Sequence, residues 1–383
     1  MSDILVVNSG SSSIKIALFA ADGAKRLSGV ASAIGLPEAT LKLGGASEAR
    51  DLPDHAAAIA AVLEGLAREG VAIEALEGAA HRVVHGGASL TQPMAATPEV
   101  LAEIDRCVPL APLHNPHNLA AIRALHHVAP ALPQFVSFDT AFHASNPEVA
   151  TRYALPAEAE ALGIRRYGFH GISYASLVRL LPEISGMPLP RRLLACHLGN
   201  GASLCAIREG RSVATTMGYS PLEGLTMGTR SGGIDGNAVL RLVEAMGPAR
   251  AARVLNNEGG LLGLSGTSAD MRALEEAGTP EARFAIEHFC YWAVRHAGSM
   301  IAAMGGLDAI AFTGGIGENA STVRAAIMAG LGWAGVSVDD AANGAGGPRL
   351  HAEGSSVTAW VVPAEEEAMI AREARALLSG AVA

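Results

Sequence analysis

Arg82 lies at a strand end followed by a glycine pair, His81-Arg82-Val83-Val84-His85-Gly86-Gly87, and Arg230 in a glycine-lined loop, Met227-Gly228-Thr229-Arg230-Ser231-Gly232-Gly233. A guanidinium on such a backbone suits bidentate recognition of a carboxylate or a phosphate. Three further segments mix small and polar residues: Asn8-Ser9-Gly10-Ser11-Ser12-Ser13-Ile14-Lys15, Gly199-Asn200-Gly201-Ala202-Ser203 and Thr313-Gly314-Gly315-Ile316-Gly317-Glu318-Asn319. Where side chains are small, backbone N–H groups can approach an anion closely, and a glycine-rich strand-to-helix turn can lie against a flat nucleotide. Together these parts would serve phosphoryl transfer. That chemistry asks for N–H donors around phosphates, a divalent metal held by oxygens, and cations on the moving group.

Asp139 closes Val136-Ser137-Phe138-Asp139, at the carboxyl end of an expected strand, where α/β ligand crevices lie. Glu365-Glu366-Glu367 opens a helical pattern, and one of the three could reach a Mg2+ shared with phosphate oxygens. His170 sits in Tyr167-Gly168-Phe169-His170-Gly171, and His114 in Pro112-Leu113-His114-Asn115-Pro116. Each feature also has a plain structural explanation. Ser/Gly and Asn-Gly turns make ordinary hairpins, acids complement a helix dipole, and most of 13 histidines serve packing. The first segment lacks the Gly-Lys-Ser/Thr ending of a Walker loop, so the P-loop class is excluded.

The elements that must position these residues read as layered α/β. Residues 4–7 and 14–19 form strand, tight turn, strand, and residues 193–198 and 204–207 repeat the pattern around Gly199–Ser203. Gly10 and Gly201 lie 191 residues apart, which suggests duplicated halves with both turns received in a cleft between them. Further strands are expected at 79–85, 134–139, 308–312 and 357–362. Helices are expected at 54–68, 98–106, 116–128, 281–304, 321–328 and 365–378. The last helix has no sheet of its own and is expected to return to the first domain. The domains are therefore 1–146 plus 368–383 and 147–367, with hinges near 144–150 and 363–367. Residues 340–356, rich in Gly and Ala, read as a surface excursion.

At 383 residues, half of them apolar, the chain can fill two cores. Its net charge of −9 and lack of a basic run exclude nucleic acid as a partner. Only Lys15, Lys25 and Lys42 are lysines among 28 basic residues, which draws notice to Lys15. Cys107, Cys196, Cys205 and Cys290 show no zinc or redox spacing. The apolar stretch 289–311 is broken by Arg295, His296 and Asp308, and the first residues run straight into a strand. No membrane association and a cytoplasmic location are expected.

Taken in order, segments 8–15, 81–87, 111–118, 138–143, 167–171, 197–203, 221–232, 268–272, 312–319 and 363–370 resemble the acetate kinase family across nearly the whole chain. The resemblance implies two ribonuclease H-like domains of the actin and hexokinase type, homodimers, Mg2+ (or Mn2+) with ATP and ADP, and reversible direct transfer to acetate. By motif position, Asn8 and Glu366 would organise the metal. Arg82 and Arg230 would hold the carboxylate and the moving phosphoryl group, Asp139 would support the attacking acid, and His170 would donate to the transferring group. Lys15, His197, Leu198, Gly199, Asn200, Gly201, Asp270, Met271, Arg272, Gly315, Ile316, Gly317 and Asn319 would bind ATP. Val84, Leu113, Phe169 and Pro221 would enclose the acetate methyl.

Departures from the family pattern occur at Gly233, Gly236, Ala364 and Glu365, at Ile172, and at Tyr174, which replaces a second histidine. A propionate or butyrate kinase of the same family is the nearest alternative, since one methylene in an apolar pocket discriminates by only about 1–3 kcal/mol. A sugar kinase would need a general-base Asp and many polar groups. An ATP-binding conformational switch would need no paired arginines.

Overall fold

The computed structural model describes residues 3–380. The chain divides into two compact units, Met1–Phe142 with Glu365–Ala383, and His143–Ala364. Glu366 therefore belongs to the first unit, where the sequence reading counted it with the second.

Each unit is built on a mixed sheet. The strands of the first are β1 (Asp3–Ser9), β2 (Ser13–Phe19), β3 (Lys25–Ser32), β4 (Thr40–Leu43), β5 (Ala46–Ala49), β6 (Leu76–Val83), β7 (Met94–Ala95) and β8 (Gln134–Phe138). They lie in the order β5-β4-β3-β2-β1-β6-β8-β7. The second unit holds β9 (Arg192–Leu198), β10 (Ala202–Arg208), β11 (Arg211–Thr215), β12 (Ala309–Thr313) and β13 (Thr358–Val361), in the order β11-β10-β9-β12-β13. In both sheets an antiparallel three-strand meander is followed by two parallel strands, β3-β2-β1-β6-β8 in one and β11-β10-β9-β12-β13 in the other. This shared order is the duplication that the repeated hairpins suggest, and it agrees with the ribonuclease H-like fold that the family resemblance implies.

The local causes are short-range. Gly10 N–H donates to Ser13 O at 2.7 Å in the first hairpin turn, and Gly199 N–H donates to Gly201 O at 3.0 Å in the second. Alternation in Thr40–Leu43 buries Leu41 and Leu43 and exposes Lys42, which makes β4 a half-buried strand. In the first unit, Leu5, Val7, Ile14, Ile16 and Leu18 pack on one face of the sheet against the helices His55–Arg68 and Asn115–Val128. The helix Glu366–Leu378 packs across β1, β6 and β8. Helix Pro280–Met304 takes up most of the apolar stretch beginning at residue 289. Among the described residues no helix is long and apolar enough to cross a membrane.

Two parts of the fold lie outside these expectations. The region 25–49 holds β3, β4 and β5; β4 and β5 are only four residues each, and β3 mixes polar and apolar residues without regular alternation. Helix Gly171–Ser185 and the helices between 236 and 277 were likewise not anticipated. Residues 340–356 are mostly exposed, as a surface excursion would be, and are pinned at points: Asn343 and Leu350 are buried there, and bridges join Val338 to His351 and Arg349 to Trp360.

Candidate active site

In the first unit the parallel register of β1, β6 and β8 brings Asn8, Arg82 and Asp139 together at their carboxyl ends. Arg82 Nε donates to Asp139 Oδ1 at 2.9 Å, Nη2 donates to Oδ2 at 2.5 Å, and Nη1 reaches Asn8 Oδ1 at 3.2 Å. Burial pushes the Asp139 carboxyl above its ordinary range, and the Arg82 guanidinium opposes this. Burial disfavours the charge on Arg82 as well, but the carboxylates of Asp139 and Glu366 outweigh it and keep the guanidinium protonated. Asp139 therefore faces Arg82.

Glu366 opens the C-terminal helix. Seven residues on, Glu373 Oε2 accepts from Ser137 Oγ at 2.5 Å. Seven residues is nearly two helical turns, so both acids lie on one strip of that helix, and the bond to β8 sets the helix along the sheet. Among the described residues no three His, Cys, Asp or Glu side chains gather as a metal cage. A magnesium ion bound mostly by water and phosphate needs only one or two protein oxygens, and Asn8 Oδ1 with the Glu366 carboxylate fits that donor set.

The strand ends are tied by two residues the sequence reading passed over. Asn118 accepts from Val84 N–H at 3.1 Å and donates to Ser9 O at 2.7 Å, while Asn115 accepts from His85 N–H at 3.2 Å and donates to His85 O at 2.9 Å. Their spacing of three at a helix start, which puts two amides on one face, was the available signal. Val84 is buried, but Leu113 is 61% exposed. Lys15 is an exposed residue of β2 directly opposite Asn8; the other expected ATP residues lie in the second unit.

There, adjacent parallel β9 and β12 end side by side, so the turn Gly199–Gly201 meets the helix start Gly314–Asn319. Gly314 has φ +79°, and a Cβ would come within 2.8 Å of Leu198 O, so only glycine fits. The glycine-rich segment is itself the first turn of that helix rather than a loop before it. An open pocket of about 460 Å³ is lined by Gly199, Asn200, Asp270, Met271, Arg272, Gly315, Ile316 and Asn319, all expected ATP contacts. Asp270 also caps its helix by accepting from Ala273 N–H at 2.9 Å.

Beside this pocket, Arg230 Nη2 and His170 Nε2 lie 3.1 and 3.2 Å from the point a Cβ on Gly201 would occupy. Arg230 Nη1 donates to Pro221 O at 2.5 Å, which aims the guanidinium. His170 has φ +59°, a left-handed conformation rare outside glycine and frequent at functional sites. Its ring stacks on His197 at 4.0 Å, with Nδ1 2.8 Å from Ser203 Oγ. The Phe169 side chain is fully buried, and its carbonyl bonds His143 Nε2 at 2.9 Å.

Arg324 and Glu318 brace the glycine-rich turn. Glu318 Oε1 accepts from Gly314 N–H at 3.1 Å and Ala364 N–H at 3.0 Å. Arg324, 1% exposed, donates to Gly317 O and Glu318 O at 3.0 and 2.8 Å and to Asn343 Oδ1 and O, both at 2.9 Å. Three of the departures from the family pattern are accommodated by the backbone. Gly233 N–H bonds Gly224 O, Gly236 follows the helix cap Asp235, and Ala364 contributes only its backbone to Glu318.

Comparison with known proteins points one way. The sequence model of the acetokinase family matches residues 3–372. An acetate kinase of Rhodopseudomonas palustris is 45% identical, with 99% of this chain and 100% of that protein aligned. One of Deinococcus radiodurans is 46% identical over 98% of each. The crystal structure of Porphyromonas gingivalis acetate kinase superposes with a TM-score of 0.92 at 37% identity, covering 99% of this chain and 100% of that one. A propionate kinase from Francisella tularensis gives 0.93 at 33% identity, covering 97% and 99%.

Proposed function

We propose that this chain, which belongs to the acetokinase family, catalyses reversible phosphoryl transfer between ATP and acetate, giving ADP and acetyl phosphate. The observation that carries this reading is the approach of Arg230 and His170 to Gly201 beside the glycine-walled pocket of the second unit. Adenosine lies against Asp270-Met271-Arg272 and Gly315-Ile316 with Asn319, and the phosphates follow Gly199-Asn200-Gly201 toward the arginine.

Acetate is ionised at neutral pH, so the nucleophile needs no general base. The barrier is the approach of two anions. In the first unit Arg82, set by Asp139, binds the carboxylate, and Val84 and Leu113 are the apolar groups offered to its methyl. In the second, Arg230 and His170 take up charge on the moving phosphoryl group, and Phe169 and Pro221 are the apolar groups. Asn8 and Glu366 would hold Mg2+ or Mn2+, which when bound supplies charge neutralisation of phosphate oxygens. Lys15 adds a further cation for phosphate.

Purified protein with ATP, Mg2+, acetate and hydroxylamine should form acetyl hydroxamate in step with ADP. ATP hydrolysis without hydroxamate would overturn the reading. The likeness to the Francisella propionate kinase favours propionate as a second reading, decided by kcat/KM for acetate against propionate and butyrate. We place the enzyme in the cytoplasm as a homodimer. Four unpaired cysteines suit a reducing compartment, and exposed Phe284 and Tyr291 on one helix offer apolar surface to a second copy. Light scattering at a monomeric mass would refute the dimer.

A further inference from the structure

Tyr174 and Ser203 stand behind His170, both at 0% exposure, and the mechanism above gives neither a task. The Tyr174 hydroxyl lies 2.6 Å from Ser203 Oγ, which lies 2.8 Å from His170 Nδ1. A phenol and an alcohol each carry a single proton, so the chain has two proton orders, from Tyr174 through Ser203 to Nδ1 or the reverse. In the first order the Tyr174 oxygen directs its proton at Ser203, and this is the order that leaves the proton of a neutral His170 ring on Nε2. Ser203 Oγ, having accepted from Tyr174, points its single hydrogen at His170 Nδ1.

We infer that Tyr174 and Ser203 are positioning residues that set the tautomer of His170, holding Nδ1 as an acceptor so that the neutral ring carries its proton on Nε2. Nε2 is the nitrogen that lies beside Gly201 together with Arg230. The ring can then donate to a phosphoryl oxygen without first becoming an imidazolium, and the stack on His197 keeps its plane fixed. Ser173 Oγ, 2.8 Å from His197 Nδ1, anchors that second ring in turn. Burial keeps the Tyr174 phenol protonated, so the relay does not lose its proton near neutral pH.

The inference rests on the assignment of His170 as a donor in the proposed reaction. It is tested on the full chain labelled with 15N-histidine. The His170 signals are identified by their loss in His170→Gln, and kcat and KM are measured for Tyr174→Phe, Ser203→Ala and Ser203→Thr. In the wild type Nδ1 should resonate as the bare nitrogen and Nε2 as the protonated one. Ser203→Ala and Tyr174→Phe should disturb that balance and lower kcat about tenfold, with KM for ATP and acetate within about twofold, because the lost effect belongs to the transition state. Ser203→Thr should restore both readouts. If Tyr174→Phe does not fold, Ser203→Ala decides alone. A wild-type proton on Nδ1, or an unchanged spectrum and kcat in Ser203→Ala, overturns the relay. Full activity in His170→Gln would remove His170 from the reaction while the spectra still judge the tautomer.

Discussion

Arg82 and Asp139 form a two-point ion pair, 2.9 Å and 2.5 Å, with the carboxylate 3% exposed and the guanidinium 24% exposed. The arginine is therefore aimed before any substrate arrives, and preorganisation of that kind lowers the barrier without reorganisation during the reaction. Asp139→Asn keeps the shape but takes the two-point carboxylate partner from a partly buried guanidinium. We expect a stability loss of about 3 kcal/mol and a fall in kcat/KM for acetate of tenfold or more. Denaturant titration and steady-state kinetics check both, and an unchanged acetate kcat/KM would sink the positioning role.

Arg82→Ala and Arg230→Ala should each lower turnover by about a hundredfold or more, since each removes a cation from a reaction between anions. Arg82 lies outside the unit that holds the pocket proposed for ATP, so Arg82→Ala should still bind ATP in calorimetry. Wild-type rates in either purified variant would take that arginine out of the mechanism.

Arg324 is buried with four hydrogen bonds to oxygen atoms and no carboxylate among them. Arg324→Met fills similar volume but leaves the Gly317 and Glu318 carbonyls and Asn343 unpaired. We expect a loss of about 2–4 kcal/mol and a weaker affinity for ATP, because the braced turn walls the pocket. Equal melting temperatures for variant and wild type would show that the brace carries no load.

Glu373 gives a pH signature. Burial raises its carboxyl from 4.5 to about 7, with the Ser137 hydrogen bond opposing. The folded protein keeps a proton there that the unfolded chain releases above its ordinary carboxylate range. Its contribution to stability is therefore full below that range, falls as pH rises toward 7, and is flat beyond. Glu373→Gln cannot titrate, so its unfolding free energy should rise relative to wild type between pH 5 and pH 8, by a margin on the order of 1–3 kcal/mol. Parallel curves for the two proteins would refute this.

Much of the site was legible because its parts are local. The hairpin turns, the glycine-rich segment after β12, and the two arginines near glycine pairs are each visible within a handful of residues. The partners were not. Ser203 was read only as the end of a turn, Tyr174 only as a departure from a pattern, and Asn115 and Asn118 only as neighbours of His114. Arg324 looks like any helical arginine until Asn343, 19 residues on, closes over it.

The amino-acid sequence by itself determined where the backbone bends, which segments alternate, and which side chains carry charge near glycine, because these follow from the conformational preferences of a few adjacent residues. Only the tertiary structure decided what each of those side chains faces. Parallel register set Arg82 against Asp139 across 57 positions, and antiparallel pairing set Ser203 opposite His197, within reach of Tyr174 and His170. Such meetings depend on how strands align over long separations, and no local periodicity encodes that alignment.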